Sequence, residues 1–274
     1  MRSADRKVLM LGDSTVRHRS RKEEDKRQLF TLVAAQIDTE LILVSHPARA
    51  LDTFLAQVRY LDAARVKPAL IIVPINLACF SPAWETRREY DFRRRNRMYL
   101  WPLTTRAMAV FKWPFESSAH LTRAETPVWI GGRKAGTLGS LLSGGAKDSA
   151  DVGAARYRVR YATDVERSRQ FAALEELAAL GRKRHLNLLF YVTPINVQAM
   201  EKYAQPGDLA AVERGVGALW VRLAASGYRL SDLSSLASAD EFDHPWWSPN
   251  EHLFAAGRQA LADAVGSEAR RLLH

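Results

Sequence analysis

The chain has 274 residues, which suits one domain with a large insertion, or one domain plus a small satellite. Its 47% hydrophobic and 26% charged residues are ordinary for a globular protein, and its single cysteine, Cys79, excludes an intrachain disulfide scaffold. The net charge of +10 is concentrated in RHRSRK at 17–22, RRRNR at 93–97 and GRKRH at 181–185, and no apolar run reaches the ~20 residues that would span a bilayer.

Taken in chain order, the first apolar run is KVLMLGD at 7–13, which reaches Gly12-Asp13-Ser14 directly after a charged start. That start lacks a signal-peptide pattern, so as written it predicts a cytoplasmic protein, exported or membrane-associated if a leader has been lost before Met1. A serine at a strand-to-helix turn projects its hydroxyl at the ligand edge of a sheet, with first-turn amides nearby to stabilise an oxyanion. Ser14 suits a helix N-cap equally well. Arg17 opens the basic cluster that follows, and both it and Asp13 are candidate substrate contacts.

ELILVSH at 40–46 and ALIIVPIN at 69–76 are the next apolar runs, and between them Leu51, Phe54, Leu55, Val58 and Leu61 recur at helical spacing over 50–65. Such short runs, rich in Val, Ile and Leu, suit strands buried on both faces. The third run ends at Asn76, whose side-chain amide is a candidate oxyanion donor and also a common turn residue. Cys79 follows in NLACFS and reads as a packed thiol.

Residues 77–160 break the rhythm. They are too long for a plain crossover, carry Trp84, Trp101, Trp113 and Trp129, and hold glycine- and serine-rich patches at 131–149. We expect an insertion after the third strand, partly helical, with a flexible segment near 136–152, forming a lid, substrate wall or structural subdomain. Trp84 is its candidate substrate contact.

A helix is expected over 165–183 and ends at Gly181, a plausible C-cap. NLLFYVTPIN at 187–196 and GYRLSDLS at 227–234 are the last strands, and an amphipathic helix closes the chain at 253–273. Alternating strands and helices predict right-handed βαβ units in a doubly wound parallel α/β sheet of about five strands. Asn196, like Asn76, then falls just past a strand's carboxyl end, where open α/β sheets bind ligands. His252, in the loop before the last helix, is placed to fold back over the first strand's end and take the Ser14 proton.

In order and spacing, VLMLGDS, PIN at 74–76 and HLFAAGRQALA at 252–262 resemble the three blocks of the SGNH/GDSL hydrolase superfamily. Asn76 stands in its GxND block, with the Gly and Asp missing. The resemblance covers nearly the whole chain. It implies a flavodoxin-like three-layer α/β/α fold in one domain spanning 1–274, a Ser14/His252 pair, and ester hydrolysis or acyl transfer without metal or organic cofactor. The family's last block reads DxxH, but Pro249 stands three residues before His252. Asp243 is the leading candidate for the displaced acid, with Asp240 and Asp232 behind it; a backbone carbonyl is the alternative. The family's second-block glycine is also absent, and the amide of Ala48 or Arg49 stands in its place.

Asp240, Glu241, Asp243, His244, Glu251 and His252 form an acid/His cluster that matches no metal-ligand spacing, and the glycine patches fail as a P-loop because Gly145 stands where Lys is required. The sequence therefore points to a small-molecule or carbohydrate acyl ester as substrate. Its rival is a non-catalytic module that holds an anionic polymer on the basic clusters. No nucleic-acid-binding signature is recognisable.

Overall fold

A computed structural model describes residues 7–45, 49–81, 127–130, 133–137, 150–243, 249 and 251–274. Five strands, β1 (Val8–Gly12), β2 (Leu41–Ser45), β3 (Leu70–Ile75), β6 (Leu188–Val192) and β7 (Leu230–Asp232), form one sheet in the order β2-β1-β3-β6-β7. Every pairing in it is parallel. A separate antiparallel hairpin joins β4 (Pro127–Ile130) to β5 (Arg133–Thr137).

Alternate strand residues serve opposite faces, which is why the apolar runs are continuous. Leu9, Leu11, Ile71, Val73, Leu188 and Phe190 pack on one side against helices α2 (Leu51–Ala63), α3 (Ala150–Tyr161), α4 (Arg169–Arg184), α5 (Val197–Tyr203) and α6 (Asp208–Ala225). Val8, Met10, Leu70, Ile72, Leu189 and Tyr191 pack on the other against α1 (Leu29–Ala34) and α7 (Ala255–Leu273). The result is a three-layer α/β/α, doubly wound parallel sheet of the flavodoxin-like type; the patterning predicts the doubly wound sheet, and the resemblance implies the flavodoxin-like layering.

Three local expectations change. The segment after Ser14 makes a turn, with Arg17 N–H donating to the Ser14 carbonyl, and no helix begins there; the first helix starts at Leu29 with Gln28 as its N-cap. The helix expected to stop at Gly181 runs on to Arg184, and His185 takes the left-handed conformation with φ 51°. Gly181 is needed for close approach instead, because a Cβ there would collide with Leu188 and Tyr228. Most of the 77–160 stretch, Trp84 included, lies outside the described residues, as does Ala48. The part that is described closes with α3, whose Tyr157 and Tyr161 are buried in the core. Among the described residues, no helix is long and apolar enough to cross a membrane. Cys79 is buried in a 3₁₀ turn (Leu77–Phe80) that follows Asn76.

Candidate active site

The sheet order reverses between β1 and β3, so the loops leaving these neighbouring strands diverge and open a crevice at their carboxyl ends. Asp13 and Ser14 leave β1 there, and Asn76 leaves β3. A Cβ at Gly12 would collide with the Val16 side chain, so glycine lets the chain fold tightly around Ser14.

Asp13 is buried and organises the floor. Its Oδ1 accepts the Thr15 N–H at 2.8 Å and the Thr15 hydroxyl at 2.6 Å. Its Oδ2 accepts Asn76 Nδ2 at 3.2 Å, while Asn76 Oδ1 accepts the Ala78 N–H at 3.0 Å. Burial raises the Asp13 pKa, with the nearby Glu251 charge adding to the rise; the bonds from Thr15 and Asn76 only partly offset it. Asp13 thus acts as a bracket beside the serine, with both carboxylate oxygens engaged.

His252 Nε2 lies 3.1 Å from Ser14 Oγ, across 238 residues of sequence. The histidine is carried on a short antiparallel pairing between Phe242 and Leu253. The Asp243 N–H donates to the His252 carbonyl at 2.9 Å, and the Phe254 N–H donates to the Glu241 carbonyl at 2.7 Å. Leu253 and Phe242 are both buried under the sheet, which anchors the pairing to the core.

Asp243 stands beside His252 in the backbone, but its side chain takes other partners. Its Oδ2 lies 2.8 Å from His18 Nε2, its Oδ1 lies 3.3 Å from Lys22 Nζ, and Ser20 also bonds it. The expected carboxylate–imidazole contact to His252 is therefore replaced by one to His18. Burial would raise the Asp243 pKa, but the bonds from Ser20, His18 and Lys22 outweigh it and hold the carboxyl below its usual range. An ionised Asp243 makes His18 Nε2 the donor of that pair. The His18 ring stacks on His252, with centroids 4.2 Å apart and planes 4° from parallel.

Two arginines, Arg160 half-buried and Arg258 buried, secure the His252 loop from its far sides. Arg160, on α3, grips Glu251 with two bonds, Nε–Oε1 at 3.0 Å and Nη2–Oε2 at 2.7 Å, and the Tyr161 hydroxyl adds a third at 2.6 Å. Burial alone would raise the Glu251 pKa, but the Arg160 charge and these bonds hold it well below the usual carboxylate range. Arg258, on α7 and 1% exposed, donates to the Leu253, Asp25 and Arg27 carbonyls and to Glu23. Glu23 in turn accepts the Ala255 N–H at the start of α7. Arg258 thereby ties the segment downstream of Ser14 to the segment that carries His252.

Asn196 is buried at the mouth of β6, but its Oδ1 caps α5 through the Ala199 N–H at 2.9 Å and its Nδ2 reaches the Ala239 carbonyl at 3.5 Å. Its side chain therefore has a capping role here. Arg17 is exposed beside the site, as are Arg19 and Arg21, while His18 is half-buried and Ser20 buried between them. None of the three arginines enters an ion pair among the described residues. Among the same residues, no cluster of three or more His, Cys, Asp or Glu is arranged to hold a metal ion. Sequence reasoning missed His18, Arg160, Tyr161 and Arg258. Glu251 appeared in it only as a member of the acid/His cluster.

No family model matches the chain, and no curated protein matches it. Among solved structures, it is similar to a Bacteroides fragilis chain provisionally described as an acylhydrolase, at 10% identity and a TM-score of 0.41, over 98% of this chain and 88% of that one.

Proposed function

We propose that this chain is a serine-dependent ester hydrolase or O-acyltransferase of the SGNH/GDSL type. It acts on a small acyl ester, such as an acetyl ester of a carbohydrate, through an acyl-enzyme on Ser14. The observation that carries the reading is the 3.1 Å approach of His252 Nε2 to Ser14 Oγ, at the sheet's switch point. A serine hydroxyl is a weak nucleophile until a base within hydrogen-bond reach takes its proton.

In the proposed cycle, Ser14 Oγ attacks the acyl carbon while its proton passes to His252 Nε2. The carbonyl oxygen becomes an oxyanion, held by the Ser14 amide and by Asn76. A primary amide carries two N–H groups, and only one of those on Asn76 is used by Asp13. The amide of Ala48 or Arg49 is the third proposed donor. Collapse expels the alcohol, which leaves with the proton from His252. Water or a sugar hydroxyl then gives its proton to His252 and attacks the acyl carbon, and as the acyl–Oγ bond breaks Ser14 Oγ takes that proton back from His252. Asp13 braces the oxyanion side, and Arg17 and Trp84 are proposed to contact the substrate. No step calls on a metal or an organic cofactor.

Ser14→Ala is expected to lower turnover of an aryl acetate by ~10⁴-fold or more. Its melting temperature should stay close to wild type, since Ser14 is half-buried and packs little. Undiminished turnover in that variant overturns the mechanism.

A second reading is a non-catalytic module that holds an anionic polysaccharide. It is favoured by Arg17, Arg19 and Arg21, which are exposed at alternate positions of one short segment.

A further inference from the structure

We infer that His18 is a positioning residue for His252, so that Asp243 acts on the base through a stacked imidazole instead of a direct bond. The inference rests on the proposed role of His252 as the base for Ser14.

The sequence places His18 four residues past Ser14, in a strip whose side chains alternate. Arg17, Arg19 and Arg21 are exposed, while His18 and Ser20 turn inward, and both bond Asp243. The alternation therefore aims one imidazole at the loop that carries the other. The two rings lie 4.2 Å apart and 4° from parallel, so the His18 face covers one side of the His252 ring. Ring rotation out of the Ser14 direction would have to break that stack. The backbone link between Asp243 N–H and the His252 carbonyl, at 2.9 Å, fixes the other end of the same assembly.

The arrangement also bears on charge. When His252 takes the serine proton it becomes a cation beneath the His18 face. The Asp243 carboxylate accepts the bond from His18 Nε2 at 2.8 Å, so its negative charge lies one ring away from the imidazolium. Lys22 also bonds Asp243, but its side chain is 68% exposed, so water screens its charge. A carboxylate held one ring away thus supports the imidazolium without touching it.

The test compares His18→Ala, His18→Phe and Asp243→Asn in the full chain. One readout is the rate at which a fluorophosphonate labels Ser14. The others are kcat and KM on an aryl acetate, the melting temperature, and the NMR shifts of the His252 ring protons. We expect His18→Ala to slow labelling and lower kcat by roughly 10- to 100-fold, as a misplaced catalytic group does, with KM changing by less than about threefold. His18→Phe keeps a flat face and should recover a large part of that loss. Asp243→Asn should fall between the two. The His252 ring protons should move downfield in His18→Ala, as the ring current of the stack is lost, and should stay upfield in His18→Phe. Labelling of His18→Ala at the wild-type rate overturns the inference. So do equal losses in the Ala and Phe variants, which would mean a purely structural role. Failure of the underlying reading looks different: the wild type would then resist the probe and turn over no ester, whatever stands at position 18.

Discussion

Arg160→Met isolates the contribution of α3 to the His252 loop. In the folded chain the Glu251 side chain is 3% exposed, and its charge is met by the two bonds from Arg160. Removing the guanidinium leaves a buried carboxylate with the Tyr161 hydroxyl as its remaining donor from this cluster. Breaking a buried pair from one side costs ~3–5 kcal/mol, because the stranded charge has lost both water and partner. At about 2 °C per kcal/mol for a chain of this length, the melting temperature should drop by roughly 6–10 °C. Glu251→Met added to Arg160→Met removes the stranded charge but orphans the Tyr161 hydroxyl, at ~1–3 kcal/mol. The triple variant Arg160→Met/Glu251→Met/Tyr161→Phe removes that too and should melt within about 3 °C of wild type. Labelling of Ser14 by a fluorophosphonate should nevertheless stay slow in the triple variant, since the tie that steadies the residue before His252 is gone. A single variant that melts like wild type refutes the reasoning. A triple variant that melts as low as the single, or one that labels Ser14 at the full rate, also refutes it.

Acid should destabilise the protein through the same pair. Glu251 and Asp243 have folded pKa values depressed below their unfolded ones, so their stabilisation is complete above the ordinary carboxylate range and is lost as pH falls through the folded values. Asp13, whose pKa is raised, works in the opposite sense: its contribution is present at low pH and is lost as pH rises through its folded value. The melting temperature should therefore drop below about pH 4 in wild type, and less steeply in the triple variant; parallel curves in a pH series of melts would contradict this. On the surface, Arg19→Glu/Arg21→Glu should weaken retention on an acidic polysaccharide and flatten its dependence on salt, because both charges are exposed. Identical elution of the two proteins would remove the basis for polyanion binding by this strip.

How much of this was legible in the sequence depends on range. The five strands were legible because each must be apolar on both faces, which leaves a continuous run such as LIIVPI in β3. Gly181 misled, because glycine marks a helix end as often as it marks tight packing, and only the neighbours Leu188 and Tyr228 decide between them. The alternative reading of Ser14 as a helix N-cap fails for a related reason. Residues 17–27 are all charged or polar, so they have no apolar stripe with which to dock a helix, and they run through turns and irregular backbone until Leu29 and Leu32 supply one. Asp243 was picked out as an acid near the base, but its partner was not legible. The choice between His18 and His252 depends on which ring is edge-on to the carboxylate, and that is decided by contacts 225 residues apart in the chain.

The same geometry explains how a base can work without an acid three residues upstream. On a single turn, acid and imidazole are placed by local backbone, and few other contacts are needed. Here Pro249 occupies that upstream position, and six residues (244–248 and 250) together with it and Glu251 separate Asp243 from His252 in sequence. Register across the Phe242–Leu253 pairing replaces register along a turn. That pairing fixes the His252 backbone, and the direction of the ring is set by side-chain contacts, the Ser14 bond and the His18 stack among them. His18 packs on one face of the ring, while Glu251 and Leu253, the residues on either side of His252, are each anchored by an arginine, Arg160 and Arg258. The nucleophile's own segment is included, because Arg258 reaches both the Leu253 carbonyl and the carbonyls of Asp25 and Arg27. In the proposed mechanism, activation of Ser14 therefore depends on an assembly that spans both ends of the chain. Substitutions at Arg160, Arg258 or His18 are then expected to act on Ser14 reactivity without touching the substrate.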